Sequence, residues 1–334
     1  MIHEAGFLCC AMVIFFAGKK LSFYGDRLAE ITGMGKAWIG LILMASVTSL
    51  PELMVGISSS AIVEDADLAV GDIMGSCAFN LGILALMDAF VPHSRSMLQL
   101  ASKNHILAAA LSIILISMVG LSLYLPGDIV LASFIGLTSV SFILVYFFSV
   151  RLIYLNELRN PPTEKAEREI APAHALTLRQ VLLRYTLFAS VIIVAALALP
   201  FFAEHIATDT GLDRSFVGTL FLAVSTSLPE IAVSVAAVRA GSIDLSVGNL
   251  LGSNLFNVFI LAIDDIFYTR GHLLKDASDV HILSVFSTLV MTAVVIMGLI
   301  FSANGKRFRM AWDSILIFTI YFLNLVLLYR FSKT

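Results

Sequence analysis

Ten mostly apolar stretches run along this chain, at 3–18, 38–61, 67–91, 104–124, 127–150, 181–202, 214–238, 244–268, 280–302 and 311–331. About 20 apolar residues in helical form cross the hydrocarbon core of a bilayer. A lone segment in lipid must satisfy its own backbone polar groups, and a helix does so. The pattern therefore predicts an all-α polytopic membrane protein with ten transmembrane helices. The longest polar stretch, Arg151 to Arg184, falls between the fifth and sixth. It holds Pro161, Pro162 and the charged run Glu164-Lys165-Ala166-Glu167-Arg168-Glu169. The expected organisation is a five-helix half at 1–150, a linker at 151–180 and a second five-helix half at 181–334. The first run, Ala5 to Phe16, lacks the basic start and small-residue cleavage site of a signal peptide. It reads as a spanning helix that is retained.

Composition agrees. Of the 334 residues, 59% are hydrophobic and 13% charged, with a mean hydropathy of +0.93; soluble domains carry about 25% charged residues. A net charge of −3 gives no basic surface for nucleic acid. Cys9, Cys10 and Cys77 form no disulfide framework or CxxC pattern. The seven histidines are scattered, with no pair at i and i+4, so neither a zinc site nor a histidine-based catalytic centre is expected. The expectation is a protein that is not an enzyme and needs no cofactor, with lipid and cations as partners and no obligatory protein partner. If the N-terminus lies outside, 16 of the 21 Lys and Arg fall on inside loops. The positive-inside rule then places both termini outside and the linker in the cytoplasm.

The chain also repeats itself. Ala45-Ser-Val-Thr-Ser-Leu-Pro-Glu52 matches Ala223-Val-Ser-Thr-Ser-Leu-Pro-Glu230, 178 residues on. Val70-Gly-Asp-Ile-Met-Gly-Ser-Cys-Ala-Phe-Asn80 matches Val247-Gly-Asn-Leu-Leu-Gly-Ser-Asn-Leu-Phe-Asn257, 177 on. The repeats occupy 38–91 and 214–268. Five spans separate the copies, an odd number, so the second copy enters the membrane from the opposite side. Secondary transporters built from inverted repeats place their ion sites near the midplane, where the repeats meet.

The repeated residues are suited to a cation. Pro51 cannot donate to the carbonyl of Val47, nor Pro229 to that of Ser225, and a freed carbonyl at membrane depth must face protein, water or an ion. One residue after each proline stands an acid, Glu52 or Glu230. A buried charge in an apolar helix is expensive and marks a functional site by default; a bound cation removes the penalty. Thr48, Ser49, Thr226 and Ser227 add hydroxyls. Ser76 and Asn80 share a helical face, as do Ser253 and Asn257, and Gly71, Gly75, Gly248 and Gly252 allow close helix approach. Oxygen donors of this kind suit Ca²⁺ or Na⁺, and two carboxylates match one divalent charge. Asp72 stands where the second repeat has Asn249. It either faces the site, four residues before Ser76, or lies at the helix mouth in water. Asp88 and Asp265, also 177 apart, fall near helix ends on opposite sides, which suits entrance funnels or solvated helix caps; solvated caps are the expectation.

The paired Thr-Ser-Leu-Pro-Glu and Gly-Ser-x-x-x-Asn motifs resemble the α-repeats of the cation/calcium antiporter superfamily, and specifically a prokaryotic sodium/calcium exchanger. The resemblance implies exchange of Ca²⁺ for Na⁺ by alternating access across a prokaryotic cell membrane. Other branches of the family imply exchange for H⁺ or co-transport of K⁺. Carried onto this sequence, the ligands fall on Ala45 (backbone), Thr48, Ser49, Glu52, Ser76 and Asn80, and on Ala223 (backbone), Thr226, Ser227, Glu230, Ser253 and Asn257. The chain departs from the family pattern at Val47 and Ser225, where glycine is usual, and at Cys77, where asparagine is. Both late positions, Asn80 and Asn257, are amides, which argues against K⁺ co-transport. The helices are expected to break near Pro51, Ser76, Pro229 and Ser253. A Ca²⁺/H⁺ or other divalent-cation antiporter of the same fold is the alternative function, and a channel lined by the same ligands a more distant one.

Overall fold

The computed structural model describes residues 2–32, 45–91, 95–125, 130–132, 135–159, 177–239, 241–301, 306 and 309–331. Its long helices are α1 (Ile2–Thr32), α4 (Ala66–Asp88), α5 (His105–Tyr124), α6 (Leu137–Arg159), α7 (Leu178–Thr210), α11 (Ile243–Phe267), α12 (His281–Ile300) and α13 (Trp312–Phe331). The repeat helices that carry proline come in pieces: α2 (Ala45–Thr48) with α3 (Leu50–Ser58), and α8 (Arg214–Val217), α9 (Ala223–Thr226) and α10 (Leu228–Arg239). Wider π turns, Ser59–Val63 and Gly218–Leu222, continue α3 and join α8 to α9.

Among the described residues eight helices are long and apolar enough to cross a membrane, and nine if the pair Arg214–Thr226 and Leu228–Arg239, bent by 46°, counts as one span. The expected second span starts at 38–44, outside the described residues; its remainder, Leu50–Val63, is apolar but shorter. The expected linker also lies mostly outside them, at 160–176. The described parts of 151–180 are helical, because α6 runs through Arg159 and α7 begins at Leu178. The fifth span starts later than hydropathy suggests. Val130–Ala132 and Ile135–Gly136 pair as a short antiparallel hairpin before α6.

Burial separates centre from periphery. Within the membrane-length windows, 89% of α4 and 72% of α11 is buried, against 28–50% for the six other long helices. These two are therefore the core, apolar on all sides because they are surrounded. The peripheral helices turn large side chains such as Leu144, Phe147, Leu183 and Phe286 outward, as a lipid-facing surface requires. Helices α1 and α7 lie together, joined by Phe7, Ile14, Ala195, Ala196 and Leu199, and meet the repeat through Val55 and Val217. Close approach at the centre depends on Gly75. A methyl there would collide with the backbone of Thr219 and with the Ala223 Cβ at 2.7 Å.

In both repeats a break falls just before the proline. Ser49 (φ −87°, ψ 14°) interrupts the first repeat and Ser227 (φ −82°, ψ 11°) the second, in almost the same conformation. Each serine restarts a helix whose second residue is Pro51 or Pro229, a position where a missing N–H costs nothing. The breaks expected near Ser76 and Ser253 do not occur, since α4 and α11 run continuously through both. Neither helix contains proline, and the glycines there serve packing.

Candidate ion site

Interrupting the proline-bearing helices brings their acids to α4 and α11. Glu52 and Glu230 sit in the first turns of α3 and α10, both with no exposed surface. Negative charge is favoured at a helix N-terminus, which offers unpaired N–H groups. The two acids are bound crosswise. Ser49 donates to Glu230 Oε1 at 3.3 Å, and Ser227 donates to Glu52 Oε1 at 3.0 Å.

The same exchange of halves relates the surrounding contacts. Thr48 Oγ1 lies 3.4 Å from Asn249 Oδ1 and 3.5 Å from Ser253 Oγ. Its counterpart Thr226 Oγ1 lies 3.0 Å from Asp72 Oδ1 and 3.4 Å from Ser76 Oγ. Ser253 also donates to Glu230 Oε1 at 3.4 Å. The Ala45 and Ala223 carbonyls accept from the Ser49 and Ser227 N–H groups, at 2.9 and 3.1 Å. Asn80 donates to Asn254 Oδ1 at 3.0 Å, and Asn254 donates to the carbonyl of its own counterpart, Cys77, at 3.1 Å. Asn257 is fully buried on α11.

All twelve expected ligand residues are thus buried in one region where the two repeats meet. Asp72 is there too, fully buried and bound to Thr226, which removes the reading that puts it in water at a helix mouth. Sequence reasoning passed over Asn249 and Asn254; their signal was position, one opposite Asp72 and the other inside the repeated Gly-Ser motif. Asp88 and Asp265 differ from expectation, being buried rather than solvated. Asp88 accepts the N–H groups of Met97 and Ala311, both at 2.7 Å, and pairs with Lys306 at 2.9 Å. Asp265 accepts the Leu273 N–H at 2.8 Å and the Ser139 hydroxyl. They fasten loops to the ends of the core helices.

Glu52 Oε2, Glu230 Oε2, Asp72 Oδ2 and Asn80 Oδ1 are buried with no hydrogen-bond partner among the described residues. Unsatisfied buried oxygens are costly and call for a counter-group, and a cation at this point supplies one. Among the described residues no three His, Cys, Asp or Glu side chains gather as a ready metal cluster. Mainly neutral oxygens surround the acids Glu52, Glu230 and Asp72.

A family model described as sodium/calcium exchanger protein matches residues 3–155 and 181–330. The chain is 28% identical to the inner membrane protein YrbG of Escherichia coli (strain K12) over 257 residues, 75% of each chain. It is 35% identical to the sodium/calcium exchanger MaX1 of Methanosarcina acetivorans over 130 residues, 39% of this chain and 34% of that one. Its fold resembles that of the sodium-calcium exchanger NCX_Mj, with a TM-score of 0.64 at 21% identity, covering 97% of this chain and 98% of the other. The model match spans both repeats and nearly all of the chain on either side of the linker; the chain belongs to the sodium/calcium exchanger protein family, a family of membrane antiporters and not of enzymes.

Proposed function

We propose that this protein exchanges Ca²⁺ for Na⁺ across a membrane, through ten spans arranged as two inverted five-helix repeats. The observation that carries the reading is the crosswise pairing of Ser49 with Glu230 and of Ser227 with Glu52. It joins two acids from opposite halves in one fully buried place, each with one unpartnered oxygen among the described residues. The charges of Glu52 and Glu230 equal that of one Ca²⁺ ion, Asp72 adds a third buried acid beside them, and Na⁺ ions could replace Ca²⁺ on the same hard oxygens. The proposed ligands are Thr48, Ser49, Glu52, Ser76, Asn80, Thr226, Ser227, Glu230, Ser253 and Asn257, the carbonyls of Ala45 and Ala223, and Asp72. The distribution of Lys and Arg supports termini outside and a cytoplasmic linker.

Counterflow tests the reading. Vesicles holding the purified protein are loaded with Ca²⁺, and Na⁺, K⁺ or a proton gradient is applied outside in turn. Release driven by Na⁺ alone is expected. Release driven only by protons would make this a Ca²⁺/H⁺ antiporter, and release indifferent to every counter-ion would make it a channel.

A further inference from the structure

Two neighbouring acids on α11 have opposite surroundings. Asp265 is engaged by the Leu273 N–H and the Ser139 hydroxyl. Asp264 has no exposed surface, and neither of its oxygens has a hydrogen-bond partner among the described residues. Its carboxylate fills the notch left by Gly56 on α3. A methyl at Gly56 would run into both carboxylate oxygens and, at 2.6 Å, into Cγ. The missing side chain makes room for the acid.

The notch lies beside the proposed ion site. Gly56 is four residues after Glu52, hence one turn further along the same face of α3. Asp264 is seven residues after Asn257, two turns along the same face of α11, or about 10 Å at 1.5 Å per residue. Ser59 and Ser60 follow Gly56 by three and four residues and open the π turn that continues α3. Both hydroxyls are fully buried and unpartnered among the described residues. Ser59–Val63 packs on α11. One buried carboxylate and two buried hydroxyls therefore lie on adjoining segments where helices α3 and α11 continue away from Glu52 and Asn257.

Asp264 has no acidic counterpart at the equivalent position of the first half. The repeat offset carries Asp264 onto Met87 and Gly56 onto Ser234. Both are buried, and neither can carry charge.

We propose that Asp264, seated at Gly56 and flanked by Ser59 and Ser60, is a second cation site, a station for the transported divalent ion on one side only of the central acids. The proposal rests on the exchange reading above. An ion that passes this point exchanges water for one charged and two neutral oxygens before it reaches Glu52, which lowers the desolvation barrier on that path.

The test is sided Ca²⁺ transport in vesicles of both orientations. Asp264→Asn keeps the shape and removes the charge. It should raise the Ca²⁺ concentration for half-maximal transport about tenfold from the face where α3 ends, the loss of one charged contact. From the other face it should stay within about twofold. Gly56→Ala leaves every charge in place and should give the same one-sided loss; if it fails to fold, Asp264→Asn stands alone. Wild-type-like transport by Asp264→Asn from both faces would overturn the station and leave the central site intact, the acid being then a protonated space-filler. Equal losses from both faces would also overturn it. Failure of the wild-type protein to couple Ca²⁺ to any counter-ion would instead remove the exchange reading on which it rests.

Discussion

Around Glu52 and Glu230 the two halves of the molecule mirror each other in three pairs of contacts: Ser49 bonds Glu230 as Ser227 bonds Glu52, and Thr48 meets Asn249 and Ser253 as Thr226 meets Asp72 and Ser76. Away from that centre the halves diverge. On one side Asp264 rests on Gly56; on the other the equivalent residues are Met87 and Ser234. Within the centre, Asp72 faces Asn249 across the same pseudo-symmetry, and Cys77 replaces the amide that Asn254 supplies. In the proposed exchange an ion held alternately from two sides needs similar ligands in both states, which would constrain the centre to be symmetric. The two approaches meet different solutions and carry no such constraint.

Several substitutions break or sharpen this comparison. Glu52→Gln and Glu230→Gln each remove one of the two matched charges and leave a desolvated divalent ion undercompensated by about 3–5 kcal/mol. Each should abolish Ca²⁺ transport, measured as uptake into vesicles, while the protein still folds in the membrane. Asp72→Asn makes the two halves alike at that position. Because Asp72 is buried, its loss should weaken Ca²⁺ about tenfold or more and be little affected by salt, as read from uptake at 50 and 500 mM of an inert salt. A protonated carboxyl cannot neutralise a cation, so protons and Ca²⁺ compete for the central acids. Apparent Ca²⁺ affinity should fall from pH 8 to pH 5, and equal affinities would contradict the arrangement.

Smaller effects follow for neutral ligands. Thr48→Ala and Ser227→Ala each lose a contact worth about 1 kcal/mol. Each should weaken half-maximal transport about fivefold, and the counterparts Thr226→Ala and Ser49→Ala should match Thr48→Ala and Ser227→Ala respectively if the pseudo-symmetry is functional. Asp88→Asn should leave transport per folded molecule unchanged. Its carboxylate holds Met97, Ala311 and Lys306, so thermal stability in detergent should drop instead, by about 1–3 kcal/mol.

The repeat, the two acids and the helix breaks at the prolines were all legible in the sequence, because each depends on a local covalent fact or on a motif occurring twice. Where that basis was missing, the reading went astray. Ser76 and Ser253 lie in glycine-containing stretches that only tight packing could show to be continuous helix. The run at 127–136 is apolar, yet part of it forms a hairpin; a short apolar run does not distinguish strand from helix. Helices α1 and α7 extend past the expected spans, to 31 and 33 residues, because hydropathy marks what crosses lipid and not where a helix stops. Asp88 and Asp265 looked like solvated caps; their partners Lys306, Ala311 and Ser139 are over 100 residues away in the chain. Asp264 went unnoticed because it has no counterpart in the first half, and comparing repeats reveals only what is repeated.

The central claim is that Glu52 and Glu230 jointly hold the ion that is exchanged. It is tested most directly by Na⁺-driven Ca²⁺ release, measured side by side on Ca²⁺-loaded vesicles of wild-type protein, Glu52→Gln and Glu230→Gln. The account predicts rapid release from the wild type on addition of outside Na⁺, and release from neither variant above protein-free vesicles. Normal Na⁺-driven release from both variants would contradict it and would place the site elsewhere in the fold.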